Sequence, residues 1–154
     1  YSFLICFIFF NFFNKSYLGD GGAYLLSLIV GFILINFYNT SHISPYFIVL
    51  LLWYPAFETF FSIIRKIYIT KLRPDQPDLK HLHHLLLNFF NKNFVLNKKF
   101  SSSITGLIIN FFNLIVFYIG TLFLYNTKIL VILILFCIIV YFLLYVILLK
   151  IKKI

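Results

Sequence analysis

The chain predicts an all-α, polytopic transmembrane helix bundle of about five membrane segments with a histidine-containing cytoplasmic loop. Three observations carry this expectation. Of the 154 residues 62% are hydrophobic and only 11% charged, with a mean hydropathy of +1.00. A soluble domain of this length has too little interior to hide so much apolar surface, whereas a lipid bilayer accepts it. The stretch Ile129 to Leu149 reads ILVILILFCIIVYFLLYVILL without a charge, and as a helix it spans about 30 Å, enough for one crossing. The basic residues gather at the ends of apolar runs, where topology signals belong. That placement assigns the formal charge of +9 to a lipid bilayer and not to nucleic acid.

Tyr1–Phe13 is short for a crossing and reads as the end of one. Asp20–Tyr38 and Pro45–Ile64 are two full segments, joined by the polar stretch Asn39 to Ser44. Ser103–Leu124 and Ile129–Leu149 are two more, joined by a turn around Tyr125 to Lys128. Between the third and fourth lies the one long polar region, Arg65 to Ser102. With Lys15, that region and the C-terminal tail on one side, 12 of the 13 basic residues agree and only Lys128 falls opposite. The rule that basic loops stay inside makes that side cytoplasmic, and the protein a multi-pass protein of the plasma (inner) membrane. Pro74 and Pro77 stop the third segment from continuing through the loop. Asp78 is a suitable cap for a new short helix, Leu79 to Asn88, made amphipathic by apolar residues at 82, 85, 86, 89 and 90. Cys6 and Cys137 lie in apolar runs with no CxxC partner and read as packing residues.

The polar residues that oppose this background are the candidate functional ones. Asp20 stands among three glycines in Gly19-Asp20-Gly21-Gly22 at the mouth of the second segment. It reads either as a ligand to a divalent cation or as a helix-terminus residue in a glycine turn. Glu58 lies seven residues before Arg65, roughly 10 Å into its span. An acid at that depth needs a polar cavity or a partner, and Pro55 suggests a bend that opens such a cavity. The alternative is a structural pair with Arg65 or with a neighbouring helix. His81, His83 and His84 crowd into four positions beside Lys80, and imidazoles donate to phosphate oxygens or move protons near neutral pH. On a helix begun at Asp78, His81 and His84 share a face and His83 points elsewhere. No cysteine joins them and HExxH is absent, which disfavours zinc. Acids and a basic, histidine-rich loop at one membrane face suit a substrate with a phosphate head and a greasy tail.

These residues resemble a known family. Tyr17-Leu18-Gly19-Asp20-Gly21-Gly22-Ala23 is similar to the FLGDxGS signature of the polyprenyl-phosphate N-acetylhexosamine-1-phosphate transferases. Pro77-Asp78-Leu79-Lys80-His81-Leu82-His83-His84 resembles their PDRxHxHH motif, and Pro55-Ala56-Phe57-Glu58 with Arg65-Lys66 resembles the intervening PxxD…RR stretch. The resemblance covers about residues 11 to 90, and the last two segments only in character.

It implies transfer of an N-acetylhexosamine-1-phosphate from a UDP-sugar to polyprenyl phosphate with release of UMP, in bacterial envelope polysaccharide or cell-wall synthesis. It implies Asp20 as a catalytic, Mg²⁺-associated acid and Glu58 as a second catalytic acid. Lys80, His81, His83, His84 and Arg73 become substrate-binding residues, and a homodimer is compatible with it. Glu58 stands where better-known members carry Asp, Leu79 where many carry Arg, and Ala23 where Ser is usual. The family's paired-aspartate motif finds no counterpart in these residues. The chain is therefore expected to be the C-terminal part of one integral-membrane transferase domain, inactive alone. The competing reading is a non-catalytic or degenerate membrane protein that binds lipid-linked sugars, or a transporter fragment; a transporter would place its charges nearer mid-membrane.

Overall fold

The structure is a computed structural model that describes residues 2–13, 15–70, 80–93 and 98–153. Its elements are α1 (Ser2–Phe12), α2 (Gly19–Ser41), α3 (Pro45–Ile64) with a π-helical extension over Arg65–Thr70, α4 (Leu82–Asn93), α5 (Lys98–Leu122) and α6 (Thr127–Lys153). Among the described residues there is no strand. Four helices are long and apolar enough to cross a membrane, spanning Gly19–Ser41, Pro45–Tyr68, Phe100–Leu122 and Thr127–Ile151, and α1 is shorter. The chain is an all-α polytopic membrane bundle.

Hydropathy located the spans to within a few residues, and the differences have local causes. The third span does not end at Ile64, because the helix loosens to π spacing and carries Arg65 and Lys66 inward, both buried. The short helix expected over Leu79 to Asn88 begins instead at Leu82 and ends at Asn93. Pro74, Pro77 and Asp78 lie outside the described residues.

α3 is the centre of the bundle and packs on α2, α5 and α6. Its pairings with α6 rise together along both chains. Ser44 meets Thr127 (3.1 Å), Glu58 meets Tyr141 (2.6 Å) and Arg65 meets Tyr145 (2.9 Å), so the two helices run parallel. α5 runs antiparallel to α3, since Trp53 donates through Nε1 to Asn113 Oδ1 (2.9 Å) while Gly120 lies against Leu50 and Phe47. In a bilayer an unpaired indole N–H or amide has no water to turn to, so this buried pair fixes the helix register. One stripe of α6, comprising Leu130, Cys137, Tyr141, Tyr145 and Leu148, is buried, at the spacings that repeat on one helical face. α2 buries none of its residues, and its bulky apolar side chains form an outward-facing surface.

At Gly120 a Cβ would meet Leu50 Cδ2 at 2.5 Å and the Phe47 ring at 3.4 Å. Leu50 is fully buried and has nowhere to swing. Gly120→Val should therefore destabilise the bundle by about 1–3 kcal/mol, the usual magnitude for overpacking. A clear drop in the melting temperature of the detergent-solubilised protein is expected, and an unchanged midpoint would show that α3 and α5 separate freely.

Candidate functional site

α4 carries Leu82, Leu85, Leu86 and Phe89 on one stripe, with Leu82 and Leu85 buried and the other two partly so. That spacing is a helical face, and it lies against α5 and α6. The helix leans on the bundle at the end where Arg65 and Tyr145 meet, which brings its first turn over Glu58.

Glu58 is 7% exposed and faces three polar partners rather than a polar cavity. Its Oε1 accepts from the Leu82 backbone N–H (3.0 Å) and lies 2.9 Å from His81 Nδ1, and its Oε2 accepts from the Tyr141 hydroxyl (2.6 Å). A helix leaves its first N–H groups without internal partners and carries partial positive charge there. Glu58 meets both needs from another helix and does at Leu82 what a local N-cap would do. An apolar groove of about 480 Å³ between α3 and α6 is separate, lined by residues such as Leu52, Ala56, Phe60 and Ile134, without Glu58 or Pro55.

Arg65 acts in parallel. Its Nη1 donates to the Lys80 carbonyl (2.8 Å) and the Tyr145 hydroxyl (2.9 Å), and its Nη2 to Ser62 Oγ (3.3 Å). The guanidinium packs against the Phe61 and Tyr145 rings, 5.6 and 5.5 Å from their centroids. Glu58 and Arg65, two turns apart on α3, thus hold Lys80, His81 and Leu82 between them.

The three histidines come together. His83 and His84 have ring centroids 4.3 Å apart, and His81 is 5.5 Å from His83 and 6.3 Å from His84. His83 does not point elsewhere, as helical spacing from Asp78 implied. His81 lies in a bend before the helix begins, so the three do not share one helical phase, and His81 stacks on His83.

Loss of water around the ring, and then the neighbouring His84, hold the His83 imidazole below its ordinary value near 6.5; the charge of Glu58 opposes this and His81 adds to it. An unfolded segment therefore takes up the His83 proton at higher pH than the docked one does. Docking of α4 should weaken as pH falls below about 6.5, until the docked ring protonates too. Hydrogen exchange of the α4 amides, corrected for intrinsic rates, should show less protection at pH 5 than at pH 7.5. His83→Gln should flatten part of that dependence, and protection that rises in acid would contradict it.

Asp20 is exposed in the first turn of α2, after Gly19 with its left-handed φ of +67°. Among the described residues no hydrogen bond or ion pair joins it to Glu58 or the histidines. Nor are three His, Cys, Asp or Glu side chains grouped there to hold a metal ion. Mg²⁺ sites often use one or two carboxylates with substrate phosphates and water; Asp20 presents a single exposed carboxylate. Arg73 lies outside the described residues, and the Lys80 side chain is exposed beside His81.

Three contributors escaped the sequence reading: Tyr141, Tyr145 and Asn113. Tyrosines four apart in the run Ile129 to Leu149, which has no other hydroxyl, are the available sign of the first two. No family model, curated protein or solved structure matches the chain.

Proposed function

We propose that the chain is part of a membrane enzyme that moves an N-acetylhexosamine-1-phosphate from a UDP-sugar to a polyprenyl phosphate. The observation that supports it best is the clamped histidine cluster: three imidazoles gathered beside Lys80 at one end of an apolar bundle. Such a cluster offers several N–H donors to a diphosphate, while the surrounding helices suit an isoprenoid tail. The side carrying the loop is cytoplasmic by its excess of basic residues, in the plasma membrane of a bacterium.

In this reading an oxygen of the lipid phosphate attacks the β-phosphorus of the UDP-sugar. A new P–O bond forms and the β-phosphorus–bridging oxygen bond breaks. The electron pair leaves with UMP. His83, His84, Lys80 and Arg73 bind the phosphates and stabilise the charge that builds on the departing oxygen. Asp20 offers a carboxylate to Mg²⁺, whose chemistry is to neutralise the diphosphate. The paired acids of the resembled family would come from elsewhere in the complete protein.

A second reading has one observation in its favour. Both oxygens of Glu58 are engaged structurally, as they would be in a non-catalytic protein that only binds lipid-linked sugars.

The test uses the complete protein in proteoliposomes with undecaprenyl phosphate and labelled UDP-N-acetylhexosamines. UMP release together with labelled lipid is expected. Asp20→Asn should lower the rate at least about a hundredfold, the scale of losing one electrostatic stabiliser. An undiminished rate in Asp20→Asn would remove the metal role. Sugar-lipid binding without UMP from any of these donors would favour the binding protein.

A further inference from the structure

His81 differs from its two neighbours in having a carboxylate behind it. Glu58 already accepts from an amide, Leu82 N–H, and from a phenol, Tyr141. An ionised carboxylate only accepts hydrogen bonds. The third contact, His81 Nδ1 at 2.9 Å from Oε1, is satisfied when Nδ1 carries its hydrogen. A neutral imidazole so arranged has its lone pair on Nε2, at the far edge of the ring. The His81 side chain is 24% exposed, and among the described residues no hydrogen bond engages its Nε2. The backbone leaves the ring little freedom, because Arg65 holds the Lys80 carbonyl on one side and Glu58 the Leu82 N–H on the other.

We infer that Glu58 is a positioning residue and His81 the general base of the site. Glu58 locks His81 as the Nδ1–H tautomer, and the bare Nε2 takes a proton from an incoming phosphate monoester. The step rests on the transfer reading and balances simply. The O–H bond of the monoanionic lipid phosphate breaks, the N–H bond forms at Nε2, and the proton stays on an imidazolium that Glu58 stabilises. The dianionic phosphate left behind is the stronger nucleophile. Phosphate monoesters lose this second proton near pH 6, so an imidazole is matched to the task. The logic is that of a buried carboxylate orienting a catalytic histidine through its second nitrogen. His83 and His84 make no comparable contact with a carboxylate among the described residues and remain phosphate donors.

The first readout needs no turnover. The complete protein, labelled with ¹⁵N-histidine and held in bilayers at pH 8, reports the tautomer of each ring by its nitrogen shifts, and His81→Asn assigns the His81 signals. Nδ1 protonated and Nε2 bare are expected in the unaltered protein. Glu58→Leu, which removes the acceptor, should shift His81 towards the opposite tautomer, whereas Tyr141→Phe, which leaves the carboxylate in place, should not. An unaltered protein with His81 protonated at Nε2 would overturn the inference, and so would a Glu58→Leu spectrum unchanged at His81. The unaltered spectrum decides the first point even if Glu58→Leu fails to fold. The second readout is the pH–rate profile of UMP release, whose acidic limb should disappear in His81→Gln; an intact acidic limb would remove the base role. The expected tautomer with no transfer from any UDP-sugar would sink the transferase reading alone and leave Glu58 as the residue that orients His81.

Discussion

Replacing Glu58 by leucine is expected to release α4 from the bundle. The substitution is close in bulk and suits the apolar surroundings, so any loss comes from polar groups left without partners. Two buried donors would be stranded, the Leu82 N–H and the Tyr141 hydroxyl, and His81 would lose its anchor. An unsatisfied buried donor costs about 1–3 kcal/mol, and in a bilayer no water replaces the lost acceptor. A combined loss of about 3 kcal/mol corresponds to a drop of roughly a hundredfold in exchange protection over α4. Glu58→Gln, which keeps one acceptor oxygen, should lose much less. Hydrogen exchange with mass spectrometry in nanodiscs measures both. Equal protection in the leucine variant and the parent would mean that α4 docks by its leucine stripe alone, and that the carboxylate contributes nothing to its position.

Replacing Arg65 by methionine is expected to be nearly as severe and to act on the same three residues from the other side. Arg65 is 2% exposed, and its guanidinium packs against two aromatic rings while donating to the Lys80 carbonyl, Tyr145 and Ser62. Methionine fills much of the volume but leaves the carbonyl and the phenol without their donor. A loss of about 2–4 kcal/mol is expected for a buried charged hydrogen-bond donor taken from its partners. Lysine should not rescue it. One ammonium group cannot reproduce a planar fork that reaches a carbonyl and two hydroxyls while stacking on rings. Because Glu58 and Arg65 hold adjacent residues, the double variant should lose less than the two single losses added together. Simple additivity would show that the two anchors work independently. Exchange along α4 and over the last three turns of α6 separates these outcomes.

Membrane spans, the leucine stripe of α4 and the unusual standing of Asp20, Glu58 and the histidines were all legible in the sequence. Each depends on properties that act over a few residues. Hydropathy is summed along one helix, an amphipathic face repeats every three to four positions, and an acid inside an apolar run is conspicuous wherever its partner lies. The sequence also required that Glu58 have a partner. It did not name that partner. Glu58 is 23 residues from His81, 24 from Leu82 and 83 from Tyr141, and those distances close only when α3, α4 and α6 pack. His83 departs from the helical expectation for a related reason. Phase counted from Asp78 turns it away from His81 and His84, whereas the helix starts at Leu82, where an acid from another span supplies the cap. Tyr141 and Tyr145 were hidden because a tyrosine in an aliphatic span looks like any other large lipid-compatible residue until its hydroxyl is seen to need a partner. Only tertiary packing decides which hydroxyl meets which charge, because a bilayer supplies no water to make the choice unimportant.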